Sequence, residues 1–89
     1  NVDRPLREGI ARWSQVTAAT PDNFSAHFEL ARLAELRDEL PLAAKHYEHA
    51  WQLKPAQRSL LLDLGRVWSA LSNSDPQYSA RATAAYLAA

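Results

Sequence analysis

Apolar residues along this chain return every three or four positions. Phe24, Phe28, Leu30, Ala31, Leu33 and Ala34 keep helical spacing in one stretch, and Leu42, Ala43, Tyr47, Ala50 and Trp51 keep it in the next. No stretch alternates with the two-residue period of a half-buried strand. Between the periodic stretches stand Thr20-Pro21-Asp22-Asn23, Lys54-Pro55-Ala56-Gln57 and Ser72-Asn73-Ser74-Asp75-Pro76. These read as loops, because proline lacks the N–H that a helix interior needs, and Asn, Asp and Ser bond locally to turns and caps. A milder break falls at Asp38-Glu39-Leu40-Pro41, where Pro41 suits the first turn of a new helix. Asp75 before Pro76 reads as an N-cap. Five helices are predicted: Arg4 to Ala19, Phe24 to Arg37, Leu42 to Leu53, Gln57 to Leu71 and Pro76 to Ala89. The fold class is all-α, and the short connections call for antiparallel neighbours.

A second, longer period runs through the same residues. Pro21 and Pro55 are 34 apart, as are Trp13 and Tyr47, Leu30 and Leu64, Ala31 and Gly65, Arg32 and Arg66, and Ala34 and Trp68. One such pair is a cheap coincidence, but six are not. Small residues at Ala31, Gly65, Ala43 and Ala50 would let helices cross closely. Leu30, Tyr47, Trp51, Leu64, Trp68 and Tyr86 are the candidates to fill the space between helix pairs. Glycine inside a helix otherwise costs on the order of 1 kcal/mol, so Gly65 argues for a contact that excludes a side chain.

In this register the chain resembles the tetratricopeptide repeat family, whose 34-residue pattern is W-x2-L-G-x2-Y, A-x3-F and P. The first half reads His27-x2-Leu30-Ala31-x2-Ala34 and again Leu61-x2-Leu64-Gly65-x2-Trp68. The second half reads Gly9-x3-Trp13 with Pro21, Ala43-x3-Tyr47 with Pro55, and Ala82-x3-Tyr86. The resemblance implies antiparallel helix-turn-helix repeats in a right-handed α-solenoid of about two and a half repeats. Residues 1–21 would be the second helix of one repeat, 22–55 a full repeat, and 56–89 a repeat with an insertion near 72–76. His27 and Ala34 stand where the pattern has large residues, so the first helix of the full repeat is expected to be the less firmly anchored one.

The resemblance also implies a concave face made by the first helices, receiving a peptide or a partner helix. The residues that would line it are Ser25, Phe28, Arg32 and Glu35, and 34 residues later Ser59, Leu62, Arg66 and Ser69. Each set steps by three, four and three along one helix face. Arg32 and Arg66 would suit a carboxylate on the partner, unless both are solvated or paired with Glu35 or Asp63 and Phe28 is simply packed. The terminal-carboxylate clamp of chaperone-binding members does not carry over, since Phe28, Glu29, Ser59 and Asp63 occupy that region instead of lysines and asparagines.

Composition narrows the chemistry. Seventeen alanines and thirteen leucines against two glycines are a helix-former's inventory over 89 residues. Ten basic and ten acidic side chains cancel, which removes the electrostatic footprint of a nucleic-acid binder. Without cysteine there is no disulfide, thiol nucleophile or zinc-thiolate site. No apolar run is long enough for direct membrane insertion. There is no phosphate loop and no recognisable serine triad, so neither catalysis nor a cofactor is expected. His46 and His49 read as surface histidines beside Glu48, with no metal site. The three tryptophans read as packing residues. The absence of methionine, with fewer than three repeats, is consistent with a cut from a longer array. Besides protein binding, the sequence allows a spacer or stacking module within a larger enzyme or envelope assembly. It also allows a compact bundle that associates with itself through truncated ends.

Overall fold

The periodic stretches become five helices: α1 (Asp3–Ala19), α2 (Phe24–Leu36), α3 (Leu40–Leu53), α4 (Arg58–Leu71) and α5 (Gln77–Ala88). This computed structural model describes residues 3–89, so Asn1 and Val2, at the head of the expected 1–21 unit, lie outside the described residues. No strand occurs among the described residues. Each helix packs on its neighbours in sequence, and the contact is most extensive within the pairs α2–α3 and α4–α5. The molecule measures 33 × 29 × 17 Å, so it is a slab about two helices thick.

The loops show why the chain turns where it does. After α1, the Thr20 N–H donates to Val16 O at 2.8 Å and the Asn23 N–H to Thr20 O at 3.1 Å. Thirty-four residues later the Lys54 N–H donates to Ala50 O at 3.0 Å and the Gln57 N–H to Lys54 O at 3.1 Å. The period of 34 is thus written in the backbone as well as in the side chains. The caps differ in detail: Asn23 Oδ1 accepts from the Ala26 N–H at 3.2 Å, while no side chain caps α4.

α2 ends in a Schellman turn. The Glu39 N–H donates to Ala34 O at 2.8 Å and the Asp38 N–H to Glu35 O at 3.0 Å. This turn puts Asp38 at φ 63, a left-handed position where glycine is the residue without a steric penalty. Leu40 and Pro41 open α3, two residues earlier than the periodicity placed its start, because proline needs no N–H partner there. The corresponding break after α4 is longer, running from 72 to 76. Ser72 and Asp75 both donate from their N–H back to the last turn of α4, and Asp75 Oδ1 accepts from the Gln77 N–H at 3.3 Å. Asp75 therefore acts just outside the helix, and Pro76 holds the N-cap position.

The core gathers small residues on α2 and α3 against large ones on α4. Ala31, Ala34, Ala43 and Ala50 are fully buried, and Tyr47, Leu60, Leu64 and Val67 pack with them. Trp51 and Trp68 are half-buried against this cluster. The atoms nearest to a side chain at Gly65 belong to an aromatic ring and not to the small residues expected at a close helix crossing. A Cβ there would lie 2.7 Å from Tyr86 Cε1, so the glycine accommodates an aromatic ring on α5. Tyr86 itself remains 47% exposed and lies over the core without being part of it.

Two substitutions test these placements. Gly65→Leu should lower stability by about 1–3 kcal/mol by driving the Tyr86 ring off α4. In the Tyr86→Ala background the same change should cost less, which a double-mutant cycle of thermal melts reads directly. Asp38→Gly should raise stability by about 0.5–1 kcal/mol, because it removes a Cβ from the left-handed position. An unchanged or lowered melting temperature would show that the Asp38 side chain compensates for its backbone.

Candidate functional site

The predicted face is partly assembled. Phe28, Arg32, Glu35 and Arg66 line one groove of about 560 Å³ together with Leu36, Tyr47 and Asp63. α2 contributes the first three at its regular steps, and α4 contributes Arg66 from the equivalent position of the next helix pair. Ser25, Ser59, Leu62 and Ser69 are exposed on the same two helices but do not line the groove. Leu36 and Leu62 remain 68% and 50% exposed.

The charges of the groove are organised around Glu35. The Arg66 guanidinium donates to it from both Nε (2.6 Å) and Nη2 (2.8 Å), and Nη2 also lies 3.0 Å from Asp63. The Tyr47 hydroxyl donates to the same carboxylate at 2.9 Å. The bidentate bond from Arg66 holds the Glu35 carboxyl below its usual range despite partial burial. Burial pushes the Tyr47 phenol up, and the neighbouring Glu35 charge pushes it further. Arg66 is thus already committed to two carboxylates of its own chain. Arg32 is held differently: it pairs with Glu29 at 3.2 Å in the open and lies over the Phe28 ring, 5.9 Å from its centroid. An exposed pair of this kind is worth little, so Arg32 can change partners.

Tyr47, Asp63 and Leu36 were not among the residues predicted for the groove. Asp63 was traceable, standing three residues before Arg66 on one helix, and Tyr47 was assigned to packing alone. No pattern marked Leu36.

A second cluster overturns the reading of the histidines. His27 and His46 are buried, at 4% and 7% exposure, and only His49 is at the surface. The His27 ring sits between α2 and α3 with Nε2 2.7 Å from Pro21 O and Nδ1 2.9 Å from His46 Nδ1. A carbonyl can only accept, so Nε2 of His27 carries a proton. Between the two Nδ1 atoms one ring donates and the other accepts. His49 stacks on His27 with ring centroids 4.9 Å apart. His27 ties α2 to the preceding loop and to α3, although α2 still buries five residues where α4 buries six. The rings stack and bond to one another, and among the described residues no group of three or more His, Asp or Glu is arranged to hold a metal ion. Nor is any described helix long and apolar enough to cross a membrane.

Compared with protein-family models, curated proteins and solved structures, the chain matches none.

The histidine pair makes a pH dependence. Burial, and then the charges of His27, Lys45 and His49, lower His46 from 6.5 to about 4. Between these values the unfolded chain binds the proton that the folded chain refuses. Stability should therefore be full above about 6.5 and fall as the pH drops toward 4. Loss of the Glu35 carboxylate has the same sign but begins only near its ordinary value of 4.5. Thermal melts should show a decline that starts well above 4.5 and flattens in His46→Gln; equal slopes in both proteins would remove His46 as its source.

Proposed function

We propose that the chain is a tetratricopeptide-like solenoid segment with no catalysis of its own. Its work is to bind an extended peptide or a partner helix in the groove between α2 and α4. The observation that carries this reading is the convergence of Phe28, Arg32, Glu35 and Arg66 from two helix pairs onto one groove flanked by exposed Leu36. The 34-residue recurrence of the turn bonds supports the repeat assignment.

The internal pairing refines which groups meet the partner. Arg66 and Glu35 shape the floor and stay with each other, because separating a bidentate pair forfeits its strongest hydrogen bonds. Phe28 and Leu36 supply apolar area, and Arg32 supplies the exchangeable charge. An apolar side chain with a neighbouring acid at Arg32 is the ligand this arrangement fits. The exposed Leu87, at 82%, and Tyr86 give some support to a second reading, self-association through α5.

Selection of random displayed peptides against the whole chain should enrich sequences with an apolar anchor. Arg32→Glu combined with Leu36→Asp should weaken their binding at least about tenfold while helical circular dichroism is kept. Lys45→Gln, beside the histidines, should leave binding unchanged. Failure to enrich any sequence, or equal binding by the double variant, would defeat the assignment, and dimerisation abolished by Leu87→Asp would favour the second reading.

A further inference from the structure

The molecule carries another groove, distinct from the peptide-binding one, and it occurs twice. The first copy is the histidine groove of about 400 Å³ between α1 and α3, with α2 beneath. The second copy, of about 450 Å³, lies between α3 and α5 with α4 beneath. The two are built from equivalent positions. Thr17 is replaced by Trp51 and His27 by Leu61, each 34 residues on. His46 is replaced by Ala85 and His49 by Ala88, each 39 residues on, because five residues are inserted between α4 and the core of α5.

Their chemistry diverges at these very positions. In the first groove, the Thr17 hydroxyl donates to Ser14 O at 3.0 Å, and His27 and His46 use each other and Pro21. In the second, alanines leave the space apolar, and the Trp51 Nε1–H is buried with no acceptor among the described residues. A buried donor without a partner carries an uncompensated desolvation cost. Arg81 stands on the wall of the same groove; it lies over the Tyr78 ring, 5.4 Å from the centroid, and forms no ion pair among the described residues. An apolar slot of this size, with one cation on its wall and a lining indole whose buried donor is unused, has the make-up of a small-molecule site.

We propose that the groove between α3 and α5 binds an aliphatic monocarboxylate. Arg81 holds the carboxylate, Trp51 turns its N–H to one of the oxygens, and the tail lies along Leu61, Leu64 and Ala88. Glu48 also lines the groove and opposes the anion. Its removal therefore strengthens binding, which a purely apolar slot does not require.

The test uses the full chain and sodium decanoate, followed by indole fluorescence, since Trp51 and Trp68 line the groove, and by calorimetry. Saturable one-to-one binding is expected, with decanol and Arg81→Gln each about tenfold weaker. Trp51→Phe should bind several-fold more weakly and Glu48→Gln more tightly. Lys45→Gln, in the histidine groove, should bind like the parent. If Trp51→Phe loses helical dichroism, Arg81→Gln and Glu48→Gln decide alone, since their charged groups are not core residues. Absence of saturable binding, equal binding of decanol, or no effect of Arg81→Gln overturns the proposal. So does a dimer that decanoate fails to dissociate, because a second copy would then be what fills the groove. None of these outcomes bears on peptide binding between α2 and α4.

Discussion

One carboxylate ties three helices together. Glu35 projects from the last turn of α2 and accepts from the hydroxyl of Tyr47 on α3 and from both arms of Arg66 on α4. The first contact closes a helix pair, and the second joins that pair to the next. Apolar packing alone would leave α3–α4 as the weaker seam, because contact there is less extensive than within either pair. A directional bond across the seam fixes the rotation of one pair against its neighbour, and packing of alanines against leucines does not specify that rotation so narrowly. The groove inherits its shape from this bond, since Glu35, Tyr47 and Arg66 are its floor.

Backbone and side chains obey the period to different degrees. The turns after α1 and α3 share two backbone bonds at a spacing of 34, because the requirement there is only to stop one helix and start another in a fixed number of residues. The positions between successive second helices are free to change once the turns are set. His27 and His46 satisfy each other across α2 and α3, and their counterparts Leu61 and Ala85 need no polar partner at all. The inserted residues are spread over three places: α4 is one residue longer than its counterpart, the loop is two longer, and α5 has two more residues before Ala82. Spreading the insertion in this way keeps the register of both helices against the core.

These differences explain what could be read from the residues in order. All five helices were legible because a 3.6-residue stripe interrupted by Pro, Asn and Asp has few other solutions. The shared face of Phe28, Arg32 and Glu35 was legible for the same reason, being set by steps within one helix. What was not legible depends on pairs distant in sequence. Glu35 and Asp63 were legible as carboxylates for the arginines of the stripe, but not that Arg66 would reach Glu35 across 31 residues, and nothing local joins His46 to His27 across 19. Gly65 was legible as a close contact, but the ring that fills the space belongs to α5, where the insertion shifts the register.

The same contrast sets how firmly each part of the molecule is held. α2 and α3 each bury five residues, including Leu30 and Tyr47, whereas α5 buries only Ala82 and Ala85. An alanine side chain removes little apolar area from water, so α5 gains less from docking than any other helix of the two complete pairs. A helix that touches mainly one neighbour and buries so little can open locally without disturbing the rest. The groove between α2 and α4 is therefore the pre-set one, held by an ion pair and a buried tyrosine. The groove between α3 and α5 is the adjustable one, where a bound molecule would supply the contact that alanines leave unmade.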